Sequence, residues 1–90
     1  MTEGKFPLGE VVITAHAKDA LHPEDVPRCL ARHVAGDWGD LADADKRENE
    51  LALTQDLRLF SVYHDRNNTK LWIITEADRS STTILLPDDY

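Results

Sequence analysis

Cysteine, aromatic residues and long apolar runs are scarce in this chain, and each shortage excludes a class of protein. Cys29 is the lone cysteine among 90 residues, so no intramolecular disulfide can form and a reducing compartment is favoured. The apolar stretches are far shorter than the roughly 20 residues that cross a bilayer. Residues 1–10 lack the basic and apolar regions of a secretory signal. We therefore expect a cytoplasmic protein that does not enter a membrane.

Basic residues are scarce as well. Ten Lys and Arg stand against seventeen Asp and Glu, which gives a net charge of −7. This balance repels phosphate backbones and removes the attraction that dominates nucleic-acid affinity, so we expect no direct contact with DNA or RNA. Residues 37–56 carry seven of the acids and two of the bases. This acidic segment is either a solvated surface or the surface that meets a basic protein partner.

The first half of the chain predicts one strand followed by helices. A hydrophobic content of 41% is enough for one core, so we expect a single domain over residues 1–90 with residues 1–6 frayed. A β-branched run predicts a strand over residues 8–14, and Thr14 is placed to cap a short helical turn over residues 15–21.

Two further helices are indicated by apolar spacing and by end signals. The first covers residues 24–35 and ends at Gly36, and its core stripe is expected to consist of Val26, Leu30 and Val34, flanked by Cys29 and His33. The second begins near Asp43 or Asp45 and ends near Gln55, with Asp45 and Glu48 in the arrangement of a capping box. Its inward residues are expected to be Leu41, Ala44, Leu51, Ala52 and Leu53.

The last third of the chain changes to β-strand character. Strands are predicted over residues 57–64, 70–76 and 82–86, with turns at residues 65–68 and 77–80. The second of these strands is apolar on both sides at residues 71–74 and should be central in the sheet. Together the patterns predict an α+β fold: an N-terminal strand, two to three helices, and a three-stranded antiparallel meander packed against the helices.

No motif in the sequence indicates a particular enzymatic reaction. None of the four histidines has the spacing of a metal motif, and both HExxH and CxxC are absent. His33, on the core flank of its helix, is typical of a packed, hydrogen-bonded histidine. No Ser-His-Asp order or phosphate-binding glycine loop is present. We therefore assign no catalytic residue, no metal and no cofactor.

Two segments are the candidates for binding a partner. Gly36-Asp37-Trp38-Gly39-Asp40 places an indole among glycines and carboxylates, as either a core plug or an anchor for an Arg-rich partner. Residues 76–83 are dense in hydrogen-bonding groups, as either a satisfied turn or a second contact region. The candidate partner-binding residues are Asp37, Trp38, Asp40, Asp43, Glu76, Asp78 and Arg79.

The sequence also carries two resemblances. HVAGDWGDL at residues 33–41 and KLWIITEADRSSTTILLP at residues 70–87 resemble a family of short, uncharacterised bacterial proteins of plasmids and integrated mobile elements. That resemblance implies a bacterial cytoplasmic accessory protein. The predicted order of elements is similar to that of RelE/ParE toxins, a likeness of topology alone.

Three functions follow as hypotheses. The first is a non-enzymatic inhibitor or regulator, including a DNA mimic, that binds a basic protein. The second is a RelE/ParE-like toxin or small RNase that acts through Arg58, His64, Lys70 or Arg79. The third is a small-molecule or subunit-assembly module, in which an exposed strand edge at residues 82–86 pairs across a homodimer.

Overall fold

The computed structural model describes residues 4–90 as a four-stranded sheet with three α-helices, so the predicted α+β class is confirmed. The elements in chain order are β1 (Glu10–Ile13), α1 (Ala15–Ala20), α2 (Asp25–Val34), α3 (Asp43–Gln55), β2 (Leu59–His64), β3 (Lys70–Thr75), β4 (Ser81–Leu85) and the 3₁₀ helix η1 (Pro87–Asp89). The helices lie between β1 and β2 in the chain and pack on one face of the sheet.

The strand order is β1-β4-β3-β2, which makes the sheet mixed. As predicted, β2, β3 and β4 form an antiparallel meander, and β3 is central. The prediction missed that β1 pairs in parallel with β4, from Glu10 beside Ser81 to Ile13 beside Ile84. The three intervening helices supply the long connection that a parallel pair needs. The edge predicted at residues 82–86 is therefore covered by β1, and a dimer cannot form along it.

The segment before β1 is held in place rather than frayed. The Lys5 backbone N–H donates to the Val34 carbonyl at 2.8 Å. The buried Phe6 ring stacks on Trp38 and meets His33 edge-on. The expectation of fraying is wrong for residues 4–6, because an aromatic side chain anchors them in the core; residues 1–3 lie outside the described residues.

The cap of α1 is confirmed, whereas the buried side of α2 is rotated from the prediction. Thr14 Oγ1 accepts the Ala17 backbone N–H at 3.1 Å. On α2 the fully buried side chains are Cys29 and His33. The predicted stripe of Val26, Leu30 and Val34 is only half-buried. The side of α2 that carries His33 faces the sheet because the His33 imidazole hydrogen-bonds to two hydroxyl groups there.

A polar side chain also sets the orientation of α3. Asn49 is buried, and its amide pairs with the backbone N–H and C=O of Phe60 at 3.1 and 2.6 Å. This pairing turns Ala52 inward and leaves Leu51 45% exposed, contrary to the prediction for Leu51. Ala44 is exposed as well. The predicted capping box is absent, since the N-cap residue is Ala42 and no side chain caps the helix.

Candidate functional site

The Gly36–Asp40 segment is a structural element built around Trp38. Gly36 and Gly39 have φ angles of 83° and 75°, which let the chain turn twice around the indole. Trp38 is 4% exposed, and its Nε1–H donates to Glu50 Oε2 at 2.7 Å. Of the two alternatives for Trp38, the structure shows the core plug. Because the indole is buried, it is not accessible to a partner, and we no longer count Trp38 among the candidate partner-binding residues.

The two aspartates of this segment are partnered within the chain. Asp37 accepts from the guanidinium of Arg32 at 2.7 Å, which lowers the pKa of the Asp37 carboxyl. It also accepts the Gly39 backbone N–H at 3.2 Å. Asp40 contacts His64 Nδ1 at 2.7 Å. Both carboxylates are exposed, but Asp37 in particular is a structural residue of the turn.

The acidic residues of α3 have a different environment. Asp43, Asp45 and Glu48 are exposed, and no ion pair to them occurs within residues 4–90. Asp43 and Asp45 also lie in the first turn of the helix, where negative charge is favourable. Their carboxylates are free to meet a cationic surface. At 3.6 residues per turn, Asp45 and Glu48 lie on one side of the helix and Asp43 lies roughly 140° or more around it. We call these three residues together the α3 acidic face.

The remaining candidate partner-binding residues lie near the C-terminal end of α3: Glu76, Asp78 and Arg79. Arg79 Nη2 donates to the carbonyl of Ala52 at 2.9 Å. Asp43 and Ala52 are nine residues apart, or about 14 Å along the helix axis. Glu76 pairs with Arg58, and Asp78 accepts the Ser80 backbone N–H. The seven predicted binding residues therefore do not form one site.

Arg79 serves as a cap for several carbonyl groups. Its Nη1 donates to the carbonyls of Leu57, Glu76 and Ala77, in addition to the bond from Nη2 to Ala52. The residue has a φ of 61°, and its guanidinium lies 5.8 Å from the centre of the Phe6 ring. The satisfied turn is thus the alternative that the structure shows for this part of residues 76–83.

Arg79→Ala should lower the free energy of unfolding by about 2 kcal/mol, because carbonyls at the end of α3 lose charged donors. Chemical denaturation measures the change. Arg58→Ala is the matched control: Arg58 is half exposed in its pair with Glu76, so its loss should change stability by less than about 1 kcal/mol. Equal effects of the two variants would contradict the capping role of Arg79.

The proposed catalytic residues of the RNase alternative are not brought together. His64 and Lys70 are register partners at one end of the β2–β3 hairpin. Arg58 precedes β2 at the other end, six residues from His64, or about 20 Å along an extended strand. Arg58 and Arg79 are engaged by Glu76 and by backbone carbonyls, as described above. The four side chains therefore lie in two separate groups.

A polar cavity of about 270 Å³ lies between α2 and the β2–β3 hairpin. It is lined by Asp25, Arg28, Cys29, Arg32, His64, Asp65 and Arg66. Arg66 donates to both oxygens of Asp25, and these bonds lower the pKa of Asp25 to about 2. Burial raises the pKa of the Cys29 thiol, which favours the protonated form. Asp25 and Arg66 thus neutralise each other, whereas Arg32 is paired with Asp37 outside the cavity lining.

A buried hydrogen-bonded chain crosses the core from α2 to the segment before β1. Thr82 Oγ1 donates to the Leu8 carbonyl, so Thr75 Oγ1 donates to Thr82. His33 Nε2–H then donates to Thr75 at 2.9 Å, and the free Nδ1 accepts from Ser61 at 2.5 Å. His33 is fully buried, and burial lowers its pKa to about 4. The chain is closed to solvent and acts in the packing of the core.

One exposed apolar surface was missed in the sequence. The helices cover the sheet face that carries Leu59, Tyr63 and Ile73, among others. The register places another set of side chains on the opposite face, which we call the open sheet face: Val12, Phe60, Val62, Trp72, Ile74, Thr83 and Leu85. The signal in the sequence was the apolar character of both sides of residues 71–74, which requires a cover on both faces.

Aromatic rings dominate the open sheet face. Phe60 and Trp72 meet edge to face at 5.1 Å, and Tyr90 lies against Trp72 at 5.7 Å. Arg58 donates to the Tyr90 hydroxyl at 3.0 Å. These side chains, with Ile74, line a shallow cavity of about 230 Å³. The face is thus a partly filled apolar trough, and Tyr90, which is 74% exposed, forms one of its walls.

The rim of the open sheet face is acidic on balance. Four carboxylates border it: Glu10 on β1, Glu76 after β3, and Asp88 and Asp89 on η1, which packs on β3. Two cations, Arg58 and Lys70, lie at the same border. The formal charge of this rim is therefore negative, as is that of the whole chain.

Residues 4–90 contain neither a cluster of metal ligands nor a helix that could span a membrane. No group of three or more His, Cys, Asp or Glu side chains in this part of the chain has the geometry to hold a metal ion. None of its helices combines the length and the apolar character that a membrane crossing requires. Comparisons with protein family models, with curated proteins and with solved structures find no match to this chain.

Proposed function

We propose that this protein is a small acidic binding protein without catalytic activity, and that its partner is a protein with a basic surface. The observation that carries the proposal is the α3 acidic face, where Asp43, Asp45 and Glu48 are exposed and unpaired within the described chain. Unpaired carboxylates at a helix surface are available for intermolecular contacts without the loss of an existing ion pair.

The net charge of −7 supports the same proposal. A field of one sign steers a cationic partner toward the protein and raises the association rate, most strongly at low ionic strength. Exposed carboxylates can also occupy a protein surface that otherwise holds phosphate groups. We therefore propose a role as an inhibitor or regulator, including DNA mimicry, in keeping with the mobile-element family that the sequence resembles.

The alternative, a toxin-like RNase, has less support. Cleavage of RNA needs cations that hold phosphate close to a general acid or base. Arg58 and Arg79 already donate to groups of this chain, and His64 and Lys70 lie at the opposite end of the hairpin. Growth arrest on expression that alanine at His64 abolishes would restore this alternative.

The proposed function is tested by capture of proteins from a bacterial lysate on the tagged protein, at low and at moderate salt. The informative variant is Asp45→Asn with Glu48→Gln, which removes two exposed charges from the same side of α3. We expect the affinity for a salt-sensitive partner to fall by about tenfold or more, since exposed charges at the edge of an interface govern association.

The matched control is Asp19→Asn with Glu24→Gln, which changes the net charge equally on other exposed surfaces. Arg66 loses its pair with Glu24 but keeps both bonds to Asp25. The control should retain the partner nearly fully. Equal losses in both variants would show a nonspecific charge effect and would remove the α3 acidic face from the proposal.

A further inference from the structure

The open sheet face lacks the layer that an apolar sheet surface normally has. A sheet buries an apolar face against another layer of structure, and the three helices of this chain cover the opposite face alone. The exposed apolar surface of this face belongs to Val12, which is 39% exposed, and to the half-buried Phe60 and Trp72. The other apolar members of the set are buried by their neighbours: Val62, Ile74 and Leu85. Partly exposed aromatic side chains that line a cavity, as Phe60 and Trp72 do, are typical of an interaction site.

The backbone of the sheet restricts the conformation of an occupant. Each of β3 and β4 is paired on both sides, so their N–H and C=O groups are taken up by the sheet. An extended segment laid on this face would find no backbone partners there, and its own buried backbone groups would stay unpaired. A helix satisfies its backbone internally and contributes side chains alone. The face therefore favours a helix.

The charge of the rim favours a different protein over a second copy of this chain as the occupant of the open sheet face. Two copies packed face to face would bring together two acidic rims, on chains of net charge −7 each. Like charges at a contact oppose association. A helix whose apolar stripe is flanked by Lys or Arg would instead place cations opposite Glu10, Glu76 and Asp88.

We propose that the open sheet face binds an amphipathic helix of a partner protein, with an apolar stripe on the half-buried Phe60 and Trp72 and with basic flanks toward the acidic rim. Tyr90 forms one wall of this site, and its ring gives a Lys or Arg of the helix a cation–π contact. The inference rests on the proposed function in one respect, namely that the ligand is a basic polypeptide.

The experiment uses the two indoles of the chain as reporters. The full protein, labelled with ¹⁵N, is titrated with a synthetic 18-residue peptide that carries Leu on one helical face and Lys on its flanks. We expect the Trp72 indole N–H resonance to move while that of Trp38, which is buried and bound to Glu50, stays in place. Circular dichroism should show that the bound peptide is helical.

Thr83→Arg is the blocking variant, because Thr83 lies on the open sheet face between Val12 and Ile74. It should weaken binding at least about tenfold, through a cation in the middle of the site. Thr54→Arg is the matched control, since Thr54 is exposed on α3, which packs on the other face. It should bind the peptide as the unaltered protein does, and thermal melts verify that both variants fold.

Three results would overturn the inference. One is a peptide that leaves the Trp72 resonance unchanged; if it moves α3 resonances instead, the proposed function survives and the helix site fails. Another is equal binding of a peptide in which every Lys is replaced by Glu, which removes the charge argument. The third is a bound peptide that circular dichroism shows to be extended. Failure of all probes, together with an empty lysate capture, would remove the proposed function as well.

Discussion

Gly39→Ala is expected to lower the free energy of unfolding by about 3 kcal/mol or more. A Cβ at this position would lie 1.9 Å from the carbonyl oxygen of Val62 and 2.7 Å from the Tyr63 ring. Gly39 is held there because the chain forms a short parallel bridge with β2, in which Asp40 N–H donates to Val62 and Val62 N–H to Trp38. The substitution adds left-handed strain of about 1–2 kcal/mol and forces this bridge apart, at about 1 kcal/mol per hydrogen bond.

Thermal and chemical denaturation measure the effect, which should lower the melting temperature by roughly 12 °C or more for a domain of this size. Gly36→Ala is the matched control. Gly36 has a similar φ of 83°, but its added Cβ would meet only the flexible side chain of Lys5. The control should lose about 1 kcal/mol, for the backbone conformation alone. If the two variants lost equal stability, the close approach to β2 would not be the cause.

The fold was largely predictable because apolar periodicity and turn residues are local signals. The strands from residue 57 onward, the cap at Thr14 and the left-handed Gly36 were all found in this way. The pairing of β1 with β4 was not found, because strands so far apart in sequence meet only after the helices have packed. A local pattern carries no information on such a contact.

Buried polar residues account for the errors in the helices. Apolar spacing alone placed the core side of α2 and α3, whereas His33 and Asn49 lie on the buried side. Each is compensated by hydrogen bonds to the sheet, the first to hydroxyl groups and the second to the backbone of Phe60. The partners are distant in sequence, so the sequence pattern could not distinguish these residues from surface ones.

The candidate site was less predictable than the fold. The exposed acids of α3 were expected from composition, since a charged helix surface is visible in the sequence. The sequence did not distinguish partner binding from the structural roles that Trp38 and Arg79 have in packing and capping. The open sheet face was overlooked because its residues resemble core residues, and the topology alone decides which sheet face the helices cover.

Acidification from pH 6.5 to pH 4 should lower the free energy of unfolding by about 3 kcal/mol through His33. The pKa of a histidine in the unfolded chain is about 6.5, whereas burial lowers the native pKa of His33 to about 4. Between these values the unfolded chain binds a proton that the native state does not, so stability falls as the pH falls. At 1.36 kcal/mol per pH unit, the gap corresponds to about 3 kcal/mol.

The groups that the structure places around this imidazole are the hydroxyls of Ser61 and Thr75 and the rings of Phe6 and Trp38, and none carries a charge to stabilise a protonated ring. Urea denaturation at a series of pH values measures the slope. His33→Gln should be less stable at pH 7 yet lose the slope between pH 6.5 and about 5, a range above that in which carboxyl groups titrate. His16→Gln removes an exposed imidazole, and this variant should keep the pH dependence of stability. A His33 resonance that titrates near pH 6.5 in the native state would show that the ring accepts a proton without unfolding, and the acid sensitivity would then belong to the carboxylates.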